Sequence, residues 1–483
     1  MDKIVAVIFA AFGVFLILST VLVVRALRFK PGLYEAASAE PIFVNGEKAA
    51  ETLREMIRCK TVSCANAADE DKAEFDKFKA ILPKIFPLVF EKCQSIEIGE
   101  KSILIKWSGK SNLAPTVLMS HYDVVSAVEE KWEKPAFEGL IESGVLWGRG
   151  TLDTKCTLNG ILFAAQTLIS EGFIPENDIY MAFGGDEEVS GHGAVDIVSY
   201  FKENGITPGM VLDEGGAVVE NVFPGVKSPC ALIGIAEKGM INVEYSVSGA
   251  GGHASSPPPN TPVGTLSLAC VRMESKNPFK FRITEPARKM FDTLARHSSF
   301  GYRLIFANLW FFSPVLNLLT RKSGGELNAL VRTTVAFTQM ECSKGMNVIP
   351  PTATMLSNHR IIPGETTESV ISQIKKTVND DSVEIRMVNG MNPSRISRTD
   401  TDAWKNLCSV ISVTWQDAIV SPYLMLACSD SRHWGDISDK VYRFSAMALS
   451  KEERGYIHGN NERIPLSTIS KTVEFYIRLM KRS

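Results

Sequence analysis

The chain has 483 residues, of which 45% are hydrophobic and 22% are charged, and its formal net charge is −2. This composition is that of a globular protein with apolar material for about two domains. The near-neutral charge argues against a nucleic-acid-binding protein, which would carry a basic surface. The nine cysteines include no Cys-x-x-Cys pair, so we expect reduced, partly buried thiols.

The first segment, Ile4 to Val24, has no charged residue and is almost wholly apolar. As a helix it would be about 31 Å long, enough to cross the hydrocarbon core of a bilayer. A cleaved signal peptide is the alternative, but its apolar region usually has about 7–15 residues. The nearest Ala-x-Ala site, Ala37–Ala39, lies too far downstream. We therefore predict a single-pass membrane anchor over residues 1–30 and a linker over 31–44.

The orientation of this anchor is less well determined. Arg25, Arg28 and Lys30 follow the apolar segment, whereas only Lys3 and the amino terminus precede it. The positive-inside rule therefore leans weakly toward a cytoplasmic catalytic domain. The chain has no acceptable Asn-x-Ser/Thr sequon, so glycosylation gives no sign of a lumenal face.

Strand-like and helical runs alternate after the linker. The predicted helices are Ala49–Arg58, Lys72–Phe90 (interrupted by prolines), Leu158–Glu171 and Gly193–Asn204. The predicted strands are Ile103–Trp107, Pro115–Met119, Asp178–Phe183 and Met210–Leu212. This alternation predicts an α/β fold with a mostly parallel sheet, in which ligands collect beyond the carboxyl ends of the strands. We assign residues 45–237 to the first part of a catalytic domain.

The pattern changes near Ala231. Strand-like runs such as Met240–Ser248 and Ala353–Ile362 now flank helical stretches, which predicts an inserted, smaller α+β domain over residues 238–362. Within it, the apolar run Ile305–Leu319 is too short for a second membrane span and is interrupted by polar residues and a proline, so we expect a buried or interface helix. Residues 363–483 are predicted to return to the catalytic domain.

Imidazole and carboxylate side chains follow several of the predicted strands. They are His121, Asp123, Asp153, Glu187, Glu188, Asp213 and, much later, His458. Each has an ordinary explanation when taken alone, such as a helix cap or a solvated carboxylate. Together they offer the mixed nitrogen and oxygen ligands that suit zinc, with cobalt or manganese also possible. Two metals that share a carboxylate need about five protein ligands, and Asp153 is a candidate bridge because its Gly-rich turn allows close backbone approach.

Six motifs occur in a characteristic order along the chain. They are Ser-His-Tyr-Asp-Val-Val, Trp-Gly-Arg-Gly-Thr-Leu-Asp-Thr-Lys, Gly-Asp-Glu-Glu, Gly-Gly-His-Ala-Ser-Ser-Pro-Pro, Asn-Val-Ile-Pro-Pro and Ile-His-Gly. This series closely resembles the aminoacylase/carboxypeptidase family of dinuclear zinc metallopeptidases. Within that family the chain looks most like the membrane-anchored carboxypeptidase S branch, which includes secreted N-acyl-amino-acid hydrolases.

The resemblance implies a role for each residue of the centre. His121 and Asp213 would hold one zinc ion of the subunit, Glu188 and His458 would hold the second, and Asp153 would bridge them. Asp123 would hydrogen-bond the far nitrogen of His121 and fix its tautomer. Glu187 would be the general base, for which a turn must aim it and Glu188 at one site, since neighbours in a strand point to opposite faces.

The resemblance also implies substrate contacts. His253, from the inserted domain of a partner subunit, would donate a hydrogen bond to the oxyanion, which implies a homodimer. Arg360 would bind the free carboxylate of the substrate through its guanidinium fork. Asn347 and Ser429 match other polar substrate positions.

The expected function is zinc-dependent hydrolysis of an amide bond next to a free-carboxylate amino acid, in a peptide or an N-acyl amino acid. A dipeptidase and a deacylase of a biosynthetic intermediate are alternatives. A non-catalytic scaffold would require loss of a ligand or of the base, and the sequence has lost neither. The resemblance favours an extracytoplasmic or lumenal catalytic domain, against the weak charge signal.

Overall fold

The computed structural model of the chain describes residues 2–32 and 40–483. Part of the predicted linker, with the sequence Ala37–Ala39, lies outside the described residues. The helices are α1 Asp2–Arg28, α2 Gly46–Ile57, α3 Lys72–Ile85, α4 Pro87–Lys92, α5 Lys155–Ser170, α6 Gly193–Glu203, α7 Pro262–Lys276, α8 Glu285–Ala295, α9 Phe300–Phe306, α10 Leu309–Ser323, α11 Gly325–Val331, α12 Thr367–Val378, α13 Asp402–Thr414, α14 Lys451–Arg454 and α15 Leu466–Met480.

The strands form a large sheet of eight strands, a smaller sheet of four, and two short sheets of three and two strands. They are β1 Gln94–Ile98, β2 Ser102–Trp107, β3 Ser111–His121, β4 Leu140–Glu142, β5 Val145–Trp147, β6 Asn177–Gly184, β7 Met210–Val219, β8 Cys230–Glu237, β9 Gly239–Ser248, β10 Gly252–His253, β11 Thr334–Glu341, β12 Val348–Ile349, β13 Thr352–Ile361, β14 Glu384–Met391, β15 Ile419–Met425, β16 Val441–Leu449 and β17 Arg463–Pro465.

The large sheet has eight strands in the order β1-β2-β6-β3-β7-β16-β8-β15. Strands β6, β3, β7 and β16 run parallel to one another, and β8 is parallel to β15. Strands β1 and β2 are added antiparallel at one edge, and β8 pairs antiparallel with β7 and β16. The predicted α/β class is confirmed, and the sheet is mixed, with a parallel centre.

The central strands are buried on both faces, which explains why they read as continuous apolar runs. Residues 115–121 of β3 and 178–184 of β6 are all buried. Helices α5 and α15 pack against each other beside the sheet, and α5 is buried along most of its length. Because β3, β6 and β7 are parallel, their carboxyl ends meet at one edge, where the polar motifs follow.

The smaller sheet is antiparallel, in the order β11-β13-β9-β14. It has its own core, in which residues of α7 and α12 such as Met273 and Ile374 pack on strand residues such as Ile241 and Tyr245. The first strand of this layer, β9, follows directly after β8, which ends at Glu237. The layer runs past the expected end at 362, since α12 packs on it and β14 pairs with β9 along the other side.

Helices α8 to α11 fall within the sequence range of the predicted insertion but contribute side chains to the core of the larger body. Phe291, Leu294 and Leu330 belong to the core of the catalytic body, and α8 lies against β15. The amphipathic spacing of α8 predicts a buried face but does not say which layer buries it. The packing therefore differs from one continuous insertion over 238–362, because the chain returns to the larger body over residues 285–331 and the smaller layer continues beyond 362.

Helix α1 is the one described helix that is long and apolar enough to cross a membrane by itself, and α9 with α10 forms a second apolar stretch that is bent by 105°. The last turns of α1 pack on the corner between α9 and α10, where Arg25 Nε donates to the Ala307 carbonyl at 3.2 Å. The predicted apolar helix is therefore present and joined to the globular body.

Candidate active site

Asp123 connects the two strand ends that carry the predicted site. His121 closes β3, and its Nδ1 lies 3.0 Å from the backbone oxygen and 3.3 Å from Oδ1 of Asp123. The same buried carboxylate accepts hydrogen bonds from the backbone N–H groups of Glu187 (3.2 Å) and Glu188 (3.1 Å) and from the Ser63 hydroxyl (2.8 Å). Asp123 thus turns Nε2 of His121 toward the other acidic residues and fixes the turn that follows β6.

That turn is the one that the adjacent glutamates require. A 3-10 turn spans Glu187–Val189, separated by two residues from the end of β6 at Gly184. It takes both glutamates out of the alternation of an extended strand, so that their side chains reach one site. The expected turn at the strand end is confirmed.

Asp153 lies between the two histidines. Its Oδ1 is 3.1 Å from Nε2 of His121 and its Oδ2 is 2.9 Å from Nε2 of His458. Glu188 Oε2 is 3.1 Å from the same nitrogen of His458, and Glu188 Oε1 is buried without a hydrogen-bond partner. The four side chains therefore come together with one Asp153 oxygen directed to each imidazole, as a bridging carboxylate requires.

The fifth carboxylate near this group is that of Glu214, which the sequence analysis did not name. Its Oε1 lies 3.5 Å from Nε2 of His121, and His121, Glu187 and Glu214 offer ligand atoms within 4.8 Å of one another. Asp213 is also buried, but its Oδ2 accepts a hydrogen bond from the backbone N–H of Ser431 at 3.0 Å. Neighbours in a strand point to opposite faces, so the assignment of Asp213 stays a prediction with Glu214 as its competitor.

Glu462 supports the bridging residue and was also missed. It is fully buried, and its Oε1 accepts from the backbone N–H groups of Leu152 (2.6 Å) and Asp153 (3.2 Å). Its Oε2 accepts from the backbone of Gly150 (2.9 Å) and from Nη1 of Arg149 (2.7 Å). One carboxylate therefore fixes the whole Gly-rich turn, from a position just after His458 in the sequence.

The electrostatics of the site reflect this crowding of carboxylates. Burial opposes a charge on His121, but Glu214 and the neighbouring aspartates raise its pKa well above the ordinary value. Hydrogen bonds to Asp153 and Glu188 raise the pKa of His458 to about 10. The imidazoles thus hold protons between carboxylates, and a divalent cation would replace such protons on binding.

Burial is the main cause of the raised pKa of Glu187, and the nearby carboxylates of Glu214 and Asp430 add to it. The pKa of Asp153 is lowered in spite of its burial, because both imidazoles donate hydrogen bonds to it. The two carboxylates therefore differ in proton affinity in the direction that a base and a ligand require.

Arg360 and Ser429 are both neighbours of Cys428, Arg360 in space and Ser429 in the sequence. Nη1 of Arg360, on β13, lies 3.3 Å from Sγ of Cys428. The next residue, Ser429, donates its backbone N–H to Oε2 of Glu237 at 2.9 Å. Glu237 is buried at the end of β8 and accepts a 2.7 Å hydrogen bond from Nε of Arg443. A buried ion pair thus holds the loop that carries Ser429 and that contacts Arg360 through Cys428.

His253 and Asn347 form a separate, exposed pair of neighbours. Strand β10 ends at His253 and pairs with β12, and the Asn347 carbonyl accepts from the backbone of Ala254 at 3.0 Å. The His253 ring lies 2.8 Å from the Ser255 hydroxyl. Across residues 2–32 and 40–483, no hydrogen bond or ion pair joins His253 or Asn347 to the histidine–carboxylate group. The predicted roles of both residues remain predictions.

Comparisons with known proteins agree with the motifs. The model of peptidase family M20/M25/M40 matches residues 117–482. The chain is 37% identical over 438 residues to N-fatty-acyl-amino acid synthase/hydrolase PM20D1 of Xenopus tropicalis, covering 90% of this chain and 85% of the relative. It is 36% identical over 444 residues to probable carboxypeptidase S-like 2 of Dictyostelium discoideum, with the same two coverages.

Solved structures show the same fold. The M20 family metallo-carboxypeptidase Sso-CP2 from Sulfolobus solfataricus superimposes with a TM-score of 0.65 at 17% identity, over 90% of this chain and 98% of that one. Human carnosine dipeptidase 1 gives a TM-score of 0.63 at 13% identity, over 90% and 96% of the two chains. The resemblance that the motifs indicated is confirmed: the chain belongs to peptidase family M20/M25/M40 and is a hydrolase of the metallo-carboxypeptidase and amidohydrolase type.

Proposed function

We propose that the protein is a zinc-dependent hydrolase that cleaves the amide bond between an acyl group and a free-carboxylate amino acid. The observation that carries this proposal is the Asp153 carboxylate between the Nε2 atoms of His121 and His458. The names of the relatives that are 37% and 36% identical support two substrate classes, N-fatty-acyl amino acids and C-terminal peptide bonds. We favour the first as the main activity, because the chain carries a membrane-length apolar helix and long acyl chains partition into lipid.

The donor set fits two zinc ions. Two imidazole nitrogens face carboxylate oxygens. The Oε1 atom of Glu188 is buried without a hydrogen-bond partner, and a bound cation would be the partner of this oxygen. We assign His121 to one ion, His458 and Glu188 to the second, and Asp153 to both, with Glu214 or Asp213 completing the first. Zinc bound there lowers the pKa of water and polarises a carbonyl group. Cobalt or manganese suits the same nitrogen and oxygen ligands.

The protein's own residues then move the proton and hold the substrate. Glu187, with its raised pKa, accepts a proton from the attacking water and returns it to the leaving amine. Asp123 orients the His121 ring and holds the backbone of the turn that carries Glu187 and Glu188. Arg360 binds the substrate carboxylate through its guanidinium group. Ser429 and Asn347 are proposed as further polar contacts of the substrate.

The base assignment is tested by Glu187→Gln with metal analysis. We expect turnover of a long-chain N-acyl amino acid to fall by about 100-fold or more, because a positioned base contributes about 10²–10⁴ in rate, while zinc content stays at the wild-type value. Glu203→Gln, at an exposed position, is the matched control. Loss of zinc from the Glu187 variant would show that the base and ligand glutamates have been exchanged. Failure of the zinc-loaded wild type on N-acyl amino acids, peptides and dipeptides alike would end the proposal.

We propose that His253 acts in the active site of a partner subunit, as a hydrogen-bond donor to the oxyanion. Its exposure in the single chain supports this role. The test mixes His253→Ala with Glu187→Gln, two variants that are each expected to lose most of their activity alone. Mixed dimers contain one site with both a base and a partner histidine, so partial recovery of activity is expected. Inactivity of the mixture, with exchange of subunits demonstrated, would remove His253 from the mechanism.

We propose that α1 anchors the protein and that the catalytic domain faces the extracytoplasmic or lumenal side. The length of α1 supports the anchor, and the resemblance to the carboxypeptidase S branch supports the side. Protease protection of the C-terminal region in sealed vesicles of known orientation tests the second point. Digestion only from the cytoplasmic face would reverse it.

A further inference from the structure

Helix α10 carries an exposed apolar stripe along one face. The stripe consists of Trp310, Phe311, Val315, Leu318 and Leu319, whose exposed fractions lie between 41% and 68%. Their spacing places them on a single side of the helix. An apolar stripe of this kind is unusual on a surface that faces water and marks contact with a partner or a membrane.

The opposite side of α10 faces inward and is mixed, with the buried Leu316 and Thr320 beside the half-buried Asn317. Arg332 is 2% exposed, and its Nη2 donates to Oδ1 of Asn317 at 2.7 Å and lies 3.4 Å from the Thr320 hydroxyl. Asn308, which precedes the helix, is fully buried. An amphipathic helix on a soluble protein directs its apolar side chains to the core and its polar side chains to water. Helix α10 instead has polar side chains among its inward residues and an apolar stripe on its outer side.

Helix α10 begins beside the end of the predicted membrane span. Nδ2 of Asn308 donates to the carbonyl of Leu22 at 3.0 Å, and Arg25 donates from Nε and Nη2 to the carbonyl of Ala307 at 3.2 and 3.1 Å. These bonds fix the start of α10 at the level where α1 passes from apolar residues to Arg25 and Arg28. At its other end α10 carries the exposed Arg321 and Lys322.

We propose that α10 lies in the interface of the lipid bilayer, with its apolar stripe in the acyl region and its basic end among the headgroups. This proposal rests on α1 being the membrane anchor. The 15 residues of α10 are about 22 Å long, too short to cross about 30 Å of hydrocarbon. The 105° bend at Ala307–Asn308 prevents α9 and α10 from forming one straight span. An interfacial helix turns an apolar face toward the acyl chains, and the outer side of α10 offers such a face.

The lipid is the occupant that the neighbouring surface favours. Val21 and Val24 of α1, at the same level as the corner, are 42% and 38% exposed, so the apolar surface continues from the span onto α10. Helix α10 is also connected to the proposed substrate site by a series of contacts. Arg332, which donates to Asn317 of α10, accepts at its carbonyl a 2.9 Å hydrogen bond from Nζ of Lys238. The carbonyl of Lys238 lies 3.4 Å from Sγ of Cys428, which contacts Arg360.

Quenching by brominated lipid tests the proposal on the full chain. The protein is reconstituted into vesicles of phosphatidylcholine brominated near the headgroup end of its acyl chains, with unbrominated vesicles as reference. Trp310 is one of seven tryptophans, so its own signal is the difference between the wild type and Trp310→Phe. We expect about twofold quenching of that difference, because an interfacial helix inserts its apolar side by about 5–10 Å.

Two reporters in the Trp310→Phe chain separate this proposal from the anchor. Phe12→Trp, in α1, is expected to be quenched by lipid brominated deep in the acyl chain. Leu113→Trp replaces an apolar residue that is 86% exposed on β3. Strand β3 lies four positions in the sheet from β15, the strand against which α8 packs. A tryptophan at position 113 should therefore not be quenched. A quenched Phe12→Trp with an unquenched Trp310 would overturn the α10 proposal and leave the anchor intact, as for a stripe that is covered by a second copy of the chain. Absence of quenching at both, or equal quenching of Leu113→Trp, would also overturn it.

Discussion

Two regions of this protein reverse the usual distribution of polar and apolar side chains, and they do so in different ways. At the carboxyl edge of the large sheet, charged groups such as Asp123, Asp213 and Glu462 are buried, yet each is held by hydrogen bonds from within the chain. On α10, apolar side chains such as Leu318 are exposed, and in the described ranges nothing covers them. The first reversal is compensated internally, whereas the second requires surroundings that the chain does not supply.

The largest expected effect comes from removing an internal compensation. Glu462→Ala deletes the acceptor of three backbone N–H groups and leaves Arg149 buried without its 2.7 Å partner. Breaking a buried ion pair in this way costs about 3–5 kcal/mol. We expect the free energy of unfolding to fall by that amount, as measured by denaturant titration in detergent. Zinc affinity should fall too, because Asp153 loses the bond that fixes its backbone.

Glu452→Ala is the control for this variant, since that glutamate is exposed and should change stability by less than about 0.5 kcal/mol. Equal stability of the two variants would mean that the buried carboxylate is not needed to hold the Asp153 turn. The hydrogen bonds to Glu462 would then not be what stabilises the buried charges at this edge of the sheet.

A histidine away from the carboxylates sharpens the comparison. His359 is fully buried in the smaller layer, with Nε2 2.8 Å from the Ser357 hydroxyl and no partner for Nδ1. Burial lowers its pKa to about 4, whereas the carboxylates raise that of His121. The unfolded chain binds the His359 proton below its ordinary pKa of about 6.5, and the folded chain does so only below about 4.

Stability should therefore fall as the pH drops from about 6.5 to about 4, by about 3 kcal/mol in total from this group. The stability is fully present above the unfolded pKa and lost as the pH approaches the folded one. Unfolding of the wild type and of His359→Leu is measured across that range, and the difference between them isolates the histidine. A difference that is constant with pH would show that His359 titrates normally and is not excluded from water.

Asp123→Asn is expected to have an intermediate effect. The amide keeps one acceptor oxygen, but the charge that orients the His121 ring and accepts from both glutamate N–H groups is lost. Loss of such a ligand-orienting partner typically lowers metal affinity about 10–100-fold. Competition with a zinc chelator measures it, with Asp69→Asn as the matched exposed control. Unchanged zinc affinity would limit Asp123 to a packing role.

For the carboxyl edge of the large sheet, the sequence predicts which residues follow the strand ends. Apolar runs and the glycines after them locate His121, Asp153 and Glu188, because side chains beyond parallel strands meet at one edge. It does not choose between Asp213 and Glu214, since the face that each residue presents depends on the local pairing of β7, whose register with β16 shifts just after Asp213. Glu462 is beyond sequence reasoning because its partners lie about 310 positions earlier.

The direction in which the apolar side chains of α10 point cannot be predicted from the sequence, for a related reason. The apolar run Ile305–Leu319 predicts a buried or interface helix, and burial of one face is the common outcome. In the structure the buried side of α10 is mixed: Leu316 belongs to the core, and Arg332 supplies partners for Asn317 and Thr320. Composition gives the length of such a helix but not the direction in which its apolar face points.

The smallest expected effect concerns that face. Leu318→Ser and Leu319→Ser replace side chains that are 68% and 54% exposed, so each should change the free energy of unfolding in detergent by less than about 0.5 kcal/mol. Leu316, on the same helix, is only 9% exposed, and Leu316→Ser should cost at least the 2–5 kcal/mol of a truncated core leucine. Urea titration of the three variants measures the contrast. If the two outer leucines proved as costly as Leu316, the stripe would be covered by protein after all, and the second region would be compensated internally like the first.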